Sequence, residues 1–184
     1  KLASVHEHVI VVLMCGSAIE VPWIDKVEAV LYAGLPGEAG GEAIANLLYG
    51  KVNPSGKLAE SWPMVYEDCI CSEYYGKTQK DAQYREGIYV GYRYYETAGV
   101  KVRFPFGYGL SYTQFDYTDL SIEKNKVFCT VKNIGTVAGK EIAQLYIEPI
   151  GSNVYRPIRE LKGFTKLYLE PGESKRISFV LCNY

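Results

Sequence analysis

Residues 9 to 15, VIVVLMC, form an unbroken apolar and β-branched run. Such a run predicts a strand covered on both faces of a parallel or mixed sheet. Gly16-Ser17 ends it, AIEV reads as a short extended piece, and PWIDK reads as a helical turn with Pro22 at its start. VEAVLYAG, residues 27 to 34, gives the next strand. About ten residues separate the two strong strand cores, fewer than the dozen or so that a parallel crossover needs, which points to a mixed sheet edge.

From Glu38 to Tyr49 the small and apolar positions Gly40, Ala43, Ile44, Leu47 and Leu48 recur at helical spacing, with Glu38 at the start and Gly50 as the stop. Gly40 and Gly41 would let this helix approach the sheet closely, and Asn53-Pro54-Ser55-Gly56 reads as a tight turn. Residues 64 to 112 show little periodicity and read as a long structured loop region. From Phe115 strict alternation takes over. Val127, Cys129 and Val131 share one face, as do Ile177, Phe179 and Leu181, with Gly, Asn and Pro-Gly-Glu breaks between the runs. That pattern is an antiparallel β-sandwich.

Composition narrows the function. Lys plus Arg (20) nearly balances Asp plus Glu (21), so no overall field selects for nucleic acid or an anionic membrane. The longest apolar run is well short of the roughly 20 residues a spanning helix needs. Five irregularly spaced cysteines (Cys15, Cys69, Cys71, Cys129, Cys182) read as scattered thiols of a reducing compartment, and the expectation is a cytoplasmic protein. Tyrosine is abundant, 17 in the chain with seven of them between 74 and 95, a composition suited to sugar contacts or to packing around loops.

The glycine-rich segment lacks the spacing of a phosphate cradle. A P-loop needs four residues between its first glycine and the Gly-Lys pair, then Ser or Thr, whereas Gly50 to Gly56 encloses five and Leu58 follows Lys57. No G-x-G-x-x-G follows a strand either, so no nucleotide cofactor is implied. His6 and His8 with Cys69 and Cys71 lack zinc-site spacing, and two histidines near the start give little support to a Ser-His-Asp triad.

Three ordered motifs carry a resemblance that runs along essentially the whole chain. PGEAGGEAIANLLYGKVNPSGKLAESWP, then YREGIYVGYRYYE with FPFGYGLSYTQFDY, then VKNIGTVAGKEIAQLYIEP with RPIRELKGFTKLYLEPGES resemble the C-terminal part of glycoside hydrolase family 3, the β-glucosidase and β-xylosidase family. Departures are small: Ala39, Ala59 and Trp62 stand where that family usually has Glu, Pro and Phe. The resemblance implies a partial α/β/α sandwich with a mixed sheet, followed by an all-β, immunoglobulin-like or fibronectin III-like sandwich. The divisions it suggests are 1–63 for the end of the α/β domain, 64–112 for a tyrosine-rich linker, and 113–184 for the β-sandwich. About five strands are legible there, against about seven in a complete sandwich. An open strand edge and homodimerisation through it are therefore expected.

The resemblance also implies a retaining double displacement by two carboxylates. The family's nucleophile is an Asp of a separate (β/α)8 barrel domain, and its acid/base is a Glu in a segment preceding the one matched here. The chain alone is thus expected to be inactive on β-linked glucosides or xylosides, completing and bracing a pocket shared with the barrel. Within the chain, Tyr84, Arg85, Glu86, Tyr92 and Arg93 are the candidates for lying beside substrate. Glu86 is expected to form an ion pair that orders its loop, while Glu38 and Glu42 read as solvated positions of a first helical turn. A reading from another class is a non-catalytic carbohydrate-binding or interaction module with the tyrosine-rich loop as its face.

Overall fold

The computed structural model describes residues 1–77 and 80–181; Cys182 lies outside them. Strands β1 (Ile10–Leu13) and β2 (Ala29–Tyr32) pair side by side. Their register, Ile10 with Ala29 through Leu13 with Tyr32, is parallel. Both strands are shorter than their apolar runs, which leaves residues 14 to 28, including the turn Ile24–Lys26, to make the return. The connection is thereby long enough for the parallel crossover that the sequence spacing argued against. Nor is β1 covered on both faces. Among the described residues β2 is its one partner strand, and Ile10 is 57% exposed.

Helix α1 spans Gly40–Leu48. Gly40 is buried, and a Cβ there would sit 2.7 Å from the Pro36 ring, so this glycine serves an approach to the preceding loop, whereas Gly41 faces open space. Gly50, with φ near +68°, ends the helix as its position suggests. The Asn53–Gly56 segment does not close on itself as a tight turn. Its polar groups are engaged by the sandwich instead. Asn53 Nδ2 donates to the Ala138 carbonyl (3.3 Å), and Asn53 Oδ1 accepts from Ser111 Oγ (3.0 Å) and the Tyr112 N–H (2.9 Å).

The region read as loop contains regular structure. β3 (Trp62–Pro63) pairs antiparallel with β4 (Val102–Phe104), and helix α2 spans Tyr92–Ala98, closed by left-handed Gly99. Trp62, 2% exposed, joins the two halves of this unit, meeting the Tyr32 and Phe104 rings edge-on at 5.2 and 5.9 Å.

The sandwich contains β5 (Phe115–Glu123), β6 (Lys126–Asn133), β7 (Gly139–Ile147), β8 (Glu160–Leu169) and β9 (Ser174–Val180). One sheet has the order β5-β6-β9 and the other pairs β7 with β8, all antiparallel. Inward positions Val131, Ala143, Leu167 and Leu169 make its core, flanked by Phe115, Cys129, Ile177 and Phe179. Asn133, at the end of β6, is fully buried, and its amide is completely used. Its Oδ1 accepts from Thr113 Oγ1 (2.7 Å) and the Gly135 N–H (3.1 Å), and its Nδ2 donates to the Val137 (2.9 Å) and Leu169 (3.1 Å) carbonyls.

Candidate functional site

The loop after α1 sets how the two halves meet. Leu58 exchanges backbone hydrogen bonds with Tyr108 (2.8 Å) and Gly107 (2.7 Å), which extends the chain along residues 107–109. Lys57 Nζ donates to the Gly109 carbonyl (2.8 Å) and lies 3.3 Å from Glu141 Oε1, with the two side chains only 16% and 11% exposed. The Tyr117 hydroxyl donates to the same Glu141 oxygen (3.2 Å). Burial, then the Glu141 charge, pushes that phenol well above its ordinary range. A glycine segment that could have cradled phosphate thus spends its polar groups on an internal seam.

Beside this seam opens a cleft of about 660 Å³. One wall is made by Ser17–Glu20 and Ala59–Ser61, the other by Gly91–Arg93 and Tyr95 of the α2 region, with Tyr66 and Phe106 between them. Ser61 Oγ accepts from the Phe106 N–H (3.2 Å), and Glu20 Oε1 accepts from the Tyr66 N–H (2.8 Å). The Tyr92 ring stacks on Phe106 at 4.8 Å, meets Tyr146 edge-on at 5.9 Å, and its hydroxyl accepts from the Leu161 N–H (2.7 Å). Arg93 Nε sits 3.4 Å from Glu160 Oε1, an ion pair whose alignment falls short of a hydrogen bond. Tyr95 is buried with its hydroxyl 3.7 Å from Cys69 Sγ. Burial, then the hydrogen bond to that sulfur, raises its phenol pKa.

Of the five residues singled out from sequence, the cleft brings together Tyr92 and Arg93. Tyr84, Arg85 and Glu86 lie outside its walls. Tyr84 is 88% exposed. Arg85 grips the Gln83 side chain through both Nε and Nη2, and its guanidinium lies 3.8 Å over the Tyr74 ring. Glu86 forms no ion pair among the described residues; its carboxylate faces the Cys71 thiol, which burial and then that carboxylate push up. The expected loop-ordering ion pair is therefore replaced by the Arg85–Gln83–Tyr74 cluster. Glu38 and Glu42 are solvated.

Sequence reasoning missed Glu20 and Glu60, the two carboxylates that share the cleft. Neither has a distinctive spacing, and only the β3–β4 pairing carries the Ala59–Ser61 segment to the α2 wall. His8 turns to Glu28 (2.8 Å), away from the cysteines, and among the described residues no three His, Cys, Asp or Glu side chains converge as a metal ion would require. A separate open concavity of about 450 Å³ is lined by residues of the 148–158 loop.

A family model described as the glycosyl hydrolase family 3 C-terminal domain matches residues 1–112, and one described as a fibronectin type III-like domain matches residues 141–184. Neither covers 113–140, although β5 and β6 pair within the sandwich. Thermostable β-glucosidase B of Acetivibrio thermocellus is 48% identical over 188 residues, covering 98% of this chain and 25% of that protein. β-Glucosidase BoGH3A of Bacteroides ovatus is 41% identical, covering 98% and 26%. Among solved structures, a β-glucosidase from Bifidobacterium adolescentis superposes with a TM-score of 0.93 at 40% identity, covering 98% of this chain and 28% of that one. β-Glucosidase 3B from Thermotoga neapolitana, in complex with glucose, gives 0.89 at 40%, covering 95% and 26%. The chain spans about a quarter of the length of these relatives. With its parallel strand pair, its Asn53–Leu58 seam and its β-sandwich all within the span shared with these relatives, the chain belongs to glycosyl hydrolase family 3 and corresponds to the C-terminal part of its β-glucosidases.

Proposed function

We propose that this chain serves as the C-terminal portion of a retaining β-glucosidase-type glycoside hydrolase, completing a substrate pocket whose nucleophile and acid/base come from outside it. The observation that carries this reading is the 48% identity to a β-glucosidase of which the chain covers only a quarter. In such a double displacement one carboxylate attacks the anomeric carbon while a second protonates the leaving oxygen. Glu38 and Glu42 stand in solvent and Glu86 faces a thiol, so none of the three has a partner carboxylate across a cleft. Tyr92 and Arg93 suit contact with a polyhydroxylated ring, through an apolar face and hydrogen-bond donors. The partner is a (β/α)8 barrel domain of the same enzyme, and the substrate a β-linked glucoside or xyloside.

The test is nitrophenol release from aryl β-glucoside and β-xyloside by the 184-residue chain, beside the full-length gene product. Activity confined to the latter is the expected result. Activity in the chain alone would overturn the reading and direct attention to Glu20 and Glu60, which share the cleft. Saturable heat on titrating glucose or xylose oligomers into the chain, without hydrolysis in either protein, would instead fit a carbohydrate-binding module. Two further proposals accompany this one. Homodimerisation through an open sandwich edge predicts a concentration-dependent mass by light scattering. Cytoplasmic residence is supported by the free thiols of Cys15, Cys69, Cys71 and Cys129.

A further inference from the structure

Four residues of α2 are matched, in reverse order, by four that lead into β8, Ile158 to Leu161. Leu161 N–H donates to the Tyr92 hydroxyl (2.7 Å), and Glu160 faces Arg93 (3.4 Å). Arg159 makes a bidentate pair with Glu96, Nε and Nη2 each 2.7 Å from a carboxylate oxygen, and the Ile158 N–H donates to Thr97 Oγ1 (3.2 Å). The pairing 92–161, 93–160, 96–159, 97–158 is what an antiparallel helix and strand give when positions i, i+1, i+4 and i+5 share a helix face. Each contact crosses from the tyrosine-rich region to the sandwich. The Arg159 guanidinium also lies 5.3 Å from the Tyr146 ring, which itself abuts Tyr92.

The consequence concerns the cleft. Its two walls have different owners: Ser17–Glu20 and Ala59–Ser61 belong to the α/β part, while the Tyr92–Arg93 wall is fastened to β8. At seven residues, α2 is too short to hold itself in water. Its position is set from outside: Phe106 and Cys69 meet Tyr92 and Tyr95, and the sandwich supplies the backbone donors and charged partners of its outward polar groups. We infer that the Ile158–Leu161 segment of the sandwich positions one wall of the cleft, with Arg159 and Glu160 acting as positioning residues for Tyr92 and Arg93. This rests on the proposed reading of the cleft as substrate-adjacent. It assigns the sandwich a task in substrate binding that its distance along the chain conceals. Bidentate carboxylate–guanidinium geometry is directional, so the Glu96–Arg159 pair fixes the rotation of α2 as well as its approach.

The experiment uses the full-length gene product with Glu96→Arg, Arg159→Glu, the double swap, and the milder Glu160→Gln. Two readouts are taken together: amide hydrogen exchange over residues 92–99, and KM and kcat on aryl β-glucoside. Each single reversal is expected to speed exchange across α2 by about tenfold while leaving residues 127–131 of the sandwich core unchanged. KM should rise several-fold with kcat little altered, as when ground-state and transition-state contacts are lost equally. The double swap should recover most of both, short of the guanidinium–Tyr146 contact. Glu160→Gln should raise KM in a protein whose fold is beyond question, because the Tyr92 and Glu96 contacts remain. Wild-type exchange in the reversals, or faster exchange with KM unchanged, overturns the inference. A full-length wild type without glycosidase activity overturns the proposed function alone, and the exchange readout then decides whether β8 holds α2.

Discussion

Asn133→Leu replaces a fully buried amide by an apolar side chain with the same number and branching of heavy atoms. Four hydrogen bonds disappear, and four partners lose their mate: the buried Thr113 hydroxyl and Leu169 carbonyl, and the part-buried Gly135 N–H and Val137 carbonyl. At a net ~1 kcal/mol for each bond the loss is about 4 kcal/mol, and partners that find no water make it larger. Urea unfolding should show a lower midpoint at an unchanged slope, because the surface exposed on unfolding is the same. In a thermal scan the same loss corresponds to about 8–16 °C for a protein of this size. Asn133→Asp should cost as much at neutral pH, since a carboxylate accepts from Thr113 and Gly135 but meets the two carbonyls with lone pairs. A loss below about 1 kcal/mol in Asn133→Leu would refute the reasoning, showing that the 133–139 turn relaxes and wets its polar groups without cost.

Lys57→Met strands Glu141 in the seam and should cost about 3 kcal/mol, whereas adding Glu141→Gln, which keeps an acceptor for Tyr117, should recover more than half in urea unfolding. Tyr95 and Tyr117 have phenol pKa values raised above the ordinary 10.0 by burial first of all. The neutral phenol is the form the fold favours. Stability from this source is therefore complete below about pH 10 and is lost as pH rises toward the folded-state values. Tyrosinate absorbance should keep a component that develops only at strongly alkaline pH, and Tyr117→Phe should remove part of it and flatten the alkaline loss. Gly40→Ala puts a methyl 2.7 Å from the Pro36 ring and should destabilise by about 1–3 kcal/mol in thermal unfolding, while Gly41→Ala, in open space, should not.

The alternation after Phe115 was sufficient to place the sandwich strands, because a half-buried strand writes its two faces into every second residue. The parallel pairing of β1 and β2 was hidden by apolar residues flanking the true strands, such as Met14, which is 63% exposed and belongs to the connection. Helix α2 was missed because YRYYETA has no apolar stripe of its own. Its aromatic rings meet Phe106, Cys69 and Tyr146 of the sandwich from several sides, a tertiary fact without a local period. Tyr92 and Arg93 were legible as a dense aromatic and basic pair, yet Glu20 and Glu60 could not be, since they meet only through chain segments that lie about forty residues apart. The resemblance to the family supplied the architecture, and the seam at Asn53 and Lys57 came from geometry alone.

That seam decides where the chain can be divided. Asn53 reads backbone on both sides of the β5–β6 hairpin, and Gly139 has no room for a side chain because a Cβ there would lie 2.5 Å from the Asn53 amide nitrogen. A cut at residue 112 would look natural by composition, but it would separate a key from its lock. Exchange of sandwiches between related enzymes should therefore fail at that junction and succeed when the segment from Leu47 through Leu58 travels with its own sandwich. In this protein the unit of inheritance is larger than the unit of architecture.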